Sequence, residues 1–127
     1  MKSANAWPSI VATAGVSAVL LGAFGAHALN GRLDAQALSV WHTAVDYQFW
    51  HALALALALA AFAAPPGRAR DVALRAFGLG IVLFCGSLYA LALGAPHWIG
   101  AITPLGGLAF IIGWVALGLA LRARASS

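Results

Sequence analysis

The sequence predicts an all-α fold: a four-transmembrane-helix bundle with a short amphipathic interfacial helix between spans 1 and 2. Three observations predict it, namely composition, four long apolar segments and the placement of the basic residues. Of 127 residues, 63% are hydrophobic and 8% are charged, and the mean hydropathy is +0.92. A soluble domain carries about 25% charged residues. Seven basic and three acidic side chains cannot cover a water-soluble fold of this length. The remaining surface must face something apolar, and lipid is the simplest candidate. The length suits one membrane domain over residues 1–127.

Crossing roughly 30 Å of hydrocarbon takes about 20 apolar residues in a helix. Four segments approach that: 8–29, 47–64, 72–94 and 104–121. The first opens at Pro8 and is interrupted only by Ser9, Thr13, Ser17 and His27. Lys2, an apolar run and Ala26-His27-Ala28 also resemble a cleavable signal. The run is longer than the 7–15 residues of a signal core, so it is expected to remain as a span. The second contains an Ala/Leu alternation from Ala52 to Ala60. Both residues are strong helix formers and neither is polar, so period two does not mean a half-wet strand here. Pro65-Pro66-Gly67 ends this segment. The fourth begins at Thr103-Pro104, read as an N-cap followed by proline at the first helical position.

Residues 34–46 form the one extended amphipathic stretch. Leu38, Trp41, Val45 and Phe49 make one helical stripe, and Ser39, His42 and Asp46 make another. Asp34 is placed to cap the start. This helix is expected near the interface, bending or running directly into the second span. Trp41, Tyr47 and Trp50 suit the headgroup level.

Four spans put the termini and the Pro-Pro-Gly turn on one side. That side carries Lys2, Arg68, Arg70, Arg75, Arg122 and Arg124, and the other carries only Arg32. The positive-inside rule therefore makes both termini cytoplasmic, in a multi-pass protein of a bacterial inner membrane. Basic residues this sparse cannot neutralise a phosphate track, which excludes nucleic acid and leaves membrane lipid as the surrounding partner. The single cysteine, Cys85, lies in an apolar run and reads as a buried packing residue.

Helices in lipid associate where backbones approach closely. Ala14, Ala18, Gly22 and Ala26 form a small-residue ridge on the first span. Gly86, Ala90 and Gly94 form one on the third. These are the expected packing faces, within the chain or toward a second copy or a partner membrane subunit.

Ionisable groups at membrane depth are costly and are candidates for function. His27, His42, His51 and His97 all fall toward the outward side, with Asp46, Tyr47 and Gln48. His42 and Asp46, and Tyr47 and His51, are each four apart and can touch. His42 and His51 are nine apart, about 180° around a helix, and cannot share a metal ion. There is no H-E-x-x-H, C-x-x-C or carboxylate cluster, no nucleophile elbow and no phosphate loop. No catalytic residue or metal ligand is therefore assigned, the cofactor is left open, and no motif specifies an enzyme.

Four blocks carry a resemblance. They are GAFGAHAL from Gly22 to Leu29; TAVDYQ from Thr43 to Gln48 with His51-Ala-Leu; FCGSLY from Phe84 to Tyr89; and ITPLGGLAF from Ile102 to Phe110 with Gly113-Trp114. In family order and over nearly the whole chain, these resemble the YgdD/YwdK family of small four-span membrane proteins. Family members resembling this chain often carry Ser where Cys85 stands, which argues against an essential hydroxyl there and weakens any catalytic reading of it. The resemblance implies an inner-membrane protein and brings no activity with it. It directs attention to His27, Tyr47, Gln48, His51, Ser87, Tyr89 and Thr103.

The expected function is a small scaffold or binding protein. The expected site is an outward polar pocket built from His27, His42, Asp46, Tyr47, Gln48, His51, Tyr89 and Thr103. It would hold a lipid-like or quinone-like molecule or contact a partner. A small transporter or proton-linked exporter subunit is one alternative. An integral membrane enzyme or a metal- or haem-binding protein is another.

Overall fold

A computed structural model describes residues 6–60 and 67–126. The Pro65-Pro66 turn and Lys2 lie outside the described residues, as do residues 61–64 of the second apolar segment. The described residues form four long helices: α1 (Ala6–His27), α2 (Ala35–Ala60), α3 (Arg68–Ala92) and α4 (Thr103–Ala125). Three stretches are long and apolar enough to cross a membrane: Ala6–His27, Arg68–Ala92 and His97–Ala125. The described part of α2 does not reach that standard, and residues 61–64, which continue its apolar run in the sequence, lie outside it.

Local chemistry sets the ends. After His27 the chain turns through Gly31, whose φ of 87° is the left-handed conformation open to glycine. Asp34 then caps α2, its Oδ1 accepting the Ala37 amide at 2.8 Å. The amphipathic stretch and the Ala/Leu run form one unbroken helix of 26 residues, about 39 Å long. The two stripes read from the sequence hold: Trp41 and Val45 are buried, while Ser39, His42 and Asp46 are exposed. Trp41 is 2% exposed and faces the protein, so it is no headgroup anchor.

Inside α3, Ile81–Cys85 form a π-helical turn. Gly94, at φ 101°, ends the helix, and a 3₁₀ turn over His97–Ala101 leads into α4. Thr103 is not the N-cap expected there. Ile102 occupies the cap position without a side-chain bond, and the Thr103 hydroxyl turns to Ser87 instead.

The helices pack in chain order, α1 on α2, α2 on α3 and α3 on α4. No extended interface joins α1 to α4 among the described residues. The α3–α4 pair interlocks rings with glycines. Phe77 lies over Gly113, Phe110 over Gly80, and the Phe84 backbone against Gly106. Phe77 is fully buried and Phe110 is 4% exposed. Cys85 is 1% exposed, a packing residue as read from the sequence.

The expected small-residue ridges are only partly where packing occurs. Ala14 and Ala18 are buried against α2, and a Cβ on Gly22 would approach Val45 at 3.3 Å. Below them the contact moves to Gly25, where a Cβ would lie 2.6 Å from the Trp41 ring, and Ala26 is exposed. On α3, Gly86 and Gly94 are exposed with open space at the Cβ position, and Ala90 is half-buried. The close approaches on that helix are at Gly80 and opposite Gly106.

Substituting Gly106 by alanine sets a methyl group against immovable backbone, whereas Gly86→Ala meets nothing. Thermal unfolding in detergent is expected to show Gly106→Ala destabilised by about 1–3 kcal/mol. Gly86→Ala should match or exceed the parent in the same experiment.

Candidate functional site

Three buried polar residues stand out in the apolar interior: Gln48 and His51 of α2, each 4% exposed, and Ser87 of α3 at 5%. A polar group in hydrocarbon costs several kcal/mol without a partner. Each of the three has partners, and no buried side-chain polar atom among the described residues lacks one.

Gln48 joins three helices. Tyr89 of α3 donates its hydroxyl to Oε1 at 2.7 Å. Nε2 donates to the Ala14 carbonyl of α1 at 3.0 Å and to Ser17 Oγ at 2.7 Å. Ser17 passes its own hydrogen to the Thr13 carbonyl, 2.7 Å away. Donors and acceptors alternate along this chain, which fixes the amide orientation. Two turns toward the start of α2, the Trp41 indole donates to the Leu21 carbonyl at 2.9 Å and packs edge-on against Tyr89, 4.7 Å between centroids.

His51 is held from both sides. Nδ1 lies 2.7 Å from the Tyr47 carbonyl, which can only accept. Nδ1 therefore carries the proton, and Nε2 accepts the Trp114 indole N–H of α4 at 3.0 Å. The imidazole stacks on Phe110 at 3.6 Å and 10° between planes. Both nitrogens of this neutral ring are engaged, so neither is open to a metal or a proton acceptor. Ser87 Oγ lies 3.0 Å from the Phe84 carbonyl and 2.5 Å from Thr103 Oγ1. With the Ser87 hydrogen on that carbonyl, Thr103 donates to Ser87 and ties the start of α4 to α3.

The residues singled out from sequence thus divide among separate places. Gln48 meets Tyr89, Thr103 meets Ser87, and Tyr47 stacks on His51 at 15° between planes. Hydrogen bonding between those last two uses the Tyr47 backbone. His27, His42, Asp46 and His97 are exposed. No hydrogen bond joins His42 to Asp46, and no group of three metal-ligating side chains occurs among the described residues. Sequence reasoning missed Ser17, Phe110 and Trp114 as partners. Ser9, Thr13 and Ser17 recur every four residues on an otherwise apolar helix, a signal that could have found Ser17. Trp114 lies 63 residues from His51, beyond the reach of any local spacing.

Two clefts flank these groups. The larger, about 880 Å³, opens between α2 and α4, with Tyr47, Trp50, His51, Phe84, Phe110 and Trp114 among its lining residues. The smaller, about 500 Å³, lies between α1 and α3 with Gln48 and Leu55 in its lining. The larger falls within the 300–1,000 Å³ typical of small-molecule sites.

Removing the amide at the centre of the network tests its role in holding α1, α2 and α3 together. Gln48→Leu and Tyr89→Phe should each lower unfolding stability, and the double variant should lose less than their sum. The expected coupling is about 0.6–1.7 kcal/mol, read from a double-mutant cycle in detergent or bicelles.

Comparison with known proteins places the chain. Residues 21–107 match the family model described as "Protein of unknown function (DUF423)". The chain is 43% identical over 113 residues to a protein of Haemophilus influenzae named "UPF0382 membrane protein", covering 89% of this chain and 90% of that one. It is 48% identical over 102 residues to "UPF0382 membrane protein YwdK" of Bacillus subtilis, covering 79% and 82%. No solved structure matches it. The family match spans α2 and α3 with the Gln48–Tyr89 pair and the start of α4, and the chain is a membrane protein belonging to the DUF423 (UPF0382) family.

Proposed function

We propose that this protein is a four-span inner-membrane binding protein whose α2–α4 cleft takes up a hydrophobic molecule from the bilayer. Two parts make up the reading, topology and site.

In the topology, α2 is the fourth span, its apolar run continuing in the sequence to Ala64. A helix buried among others needs less apolar surface than one facing lipid. Its polar Gln48 and His51 are buried and bonded, and Leu53 and Leu57 supply exposed apolar surface. Both termini are cytoplasmic. The antiparallel packing of α3 and α4 brings the start of one beside the end of the other. Arg68, Arg70 and Arg75 therefore share an end with Arg122 and Arg124, opposite Arg32.

In the site, the carrying observation is the lining of the 880 Å³ cleft. Its walls are aromatic and aliphatic, it opens sideways between two lipid-facing helices, and its one histidine has both nitrogens occupied. This is a binding surface for an amphiphile rather than an acid–base centre or an ion path.

Both parts can be checked. Fusing alkaline phosphatase or a fluorescent protein after Arg124 should give fluorescence and no phosphatase activity; the opposite pattern overturns the topology. Organic extraction of protein purified from native membranes should release a hydrophobic small molecule in near-stoichiometric amount. Gly107 lines the cleft, and a Cβ there meets only Phe84 ring atoms at 3.8–3.9 Å. Gly107→Leu should fill the space and remove that molecule while the protein still folds. Equal recovery from both proteins would remove the cleft as the site.

A further inference from the structure

Resting on that cleft as a binding site, we infer that its occupant is a quinone-type amphiphile: a flat conjugated ring bearing carbonyl oxygens, on an apolar tail. Three features of the lining lead there.

The first is a hydrogen-bond donor without an acceptor. Among the polar groups lining the cleft, both His51 nitrogens and the Trp114 indole are engaged with one another or with backbone. The Tyr47 hydroxyl and the Trp50 indole have no hydrogen-bond partner among the described residues; Trp50 is exposed, whereas the Tyr47 ring is packed on Phe84 at 4.5 Å, which holds its hydroxyl in place. A phenol held by its ring on the wall of the cleft presents a donor that a ligand acceptor can take up. A carbonyl oxygen is the acceptor that an apolar molecule brings.

The second is the alignment of rings. Tyr47, His51 and Phe110 lie nearly parallel, at 15° and 10° for neighbouring pairs and 25° for Tyr47 with Phe110. Planar rings gain from offset stacking on such a set. A flexible acyl chain gains nothing from parallel planes.

The third is charge. Among the described residues, no lysine or arginine lines the cleft. A phospholipid headgroup would bring a phosphate with nothing to pair it, whereas a quinone is neutral. Leu53, Leu108 and Ile111 at the lipid side provide for the tail. The inference concerns binding only and requires no electron transfer.

The test uses the full chain in phosphatidylcholine nanodiscs, titrated with a decyl-tailed benzoquinone. Quenching of tryptophan fluorescence reports the ligand, since Trp50 and Trp114 line the cleft. Native mass spectrometry reports stoichiometry and retained phospholipid. The wild type should show saturable quenching at one quinone per chain, above the linear background from partitioning. Tyr47→Phe keeps the ring and loses the donor, and its affinity should fall about tenfold. Gly107→Leu should lose the saturable component, with unfolding temperatures confirming that both variants fold. Saturable binding that Tyr47→Phe leaves unchanged overturns the assigned contact. A wild type with only linear quenching overturns the quinone. If phospholipid is then retained by the wild type and lost from Gly107→Leu, the cleft stands with a glycerolipid in it. If Gly107→Leu changes neither quinone nor phospholipid, the cleft itself is not a binding site.

Discussion

The absence of water around the interior constrains everything else in this chain. A polar side chain there must be satisfied by protein, because nothing else will do it. Gln48 meets that requirement by drawing groups from three helices onto one amide. An amide needs acceptors for two hydrogens and a donor for its oxygen, each in a particular direction. Ala14 and Ser17 on one side and Tyr89 on the other can supply them only if α1, α2 and α3 hold one register. Apolar packing alone tolerates sliding, since a leucine contacts lipid as readily as another leucine. The single glutamine thus fixes relative depths that the surrounding alanines and leucines cannot.

The remaining helix is held by shape. Phe77 over Gly113 and Phe110 over Gly80 cross-lock α3 and α4 at two heights, and Ser87–Thr103 secures the start of α4. Alpha-helices α2 and α4, by contrast, share little backbone contact and meet through side chains. The Trp114–His51 bond and the His51–Phe110 stack bridge them. A row of helices joined this way, and not closed into a ring, leaves a cleft wherever two second neighbours face each other. The α2–α4 cleft exists because a histidine acts as a strut across it. With a hydrogen bond at each nitrogen, His51 contributes a rigid wall where its residue type alone suggests chemistry.

How much of this was legible in the sequence depended on range. Features decided within one helical turn or by composition were readable. Asp34 sits three residues before the amide it caps, and the stripe through Leu38, Trp41, Val45 and Phe49 follows from helical period. Membrane residence followed from the shortage of charge. Features decided by a partner far along the chain were not readable. Thr103 has the residue type and setting of an N-cap, but Ser87, sixteen residues earlier, offers its hydroxyl a better-placed partner. The ridge through Gly86 and Gly94 fits a packing motif, yet the side of α3 that meets α4 is set by where Phe77 and Phe110 find glycines. The histidines were expected on one side of the membrane, which says nothing about whether they share a site. Only His51 points inward, and its partner is a tryptophan 63 residues away.

One irregularity explains how α3 serves two neighbours at once. A π turn carries one residue more than an α turn, so it offsets everything after it by about 100° from a regular helix. Before the turn, Phe77 and Gly80 face α4. After it, Ser87 reaches Thr103 of α4 while Tyr89 reaches Gln48 of α2. Were the same residues a regular α-helix, Ser87 and Tyr89 would both be rotated away from these partners. Two buried hydroxyls would then lie in hydrocarbon with nothing to bond. The poorer geometry of Ile81–Cys85 costs less than that outcome, so the hydrogen bonds beyond the turn hold it in place. Phe84, within the turn, is thereby set with its backbone against Gly106 and its ring against Tyr47. The requirement to satisfy two hydroxyls on α3 thus also orients the ring that backs the open cleft.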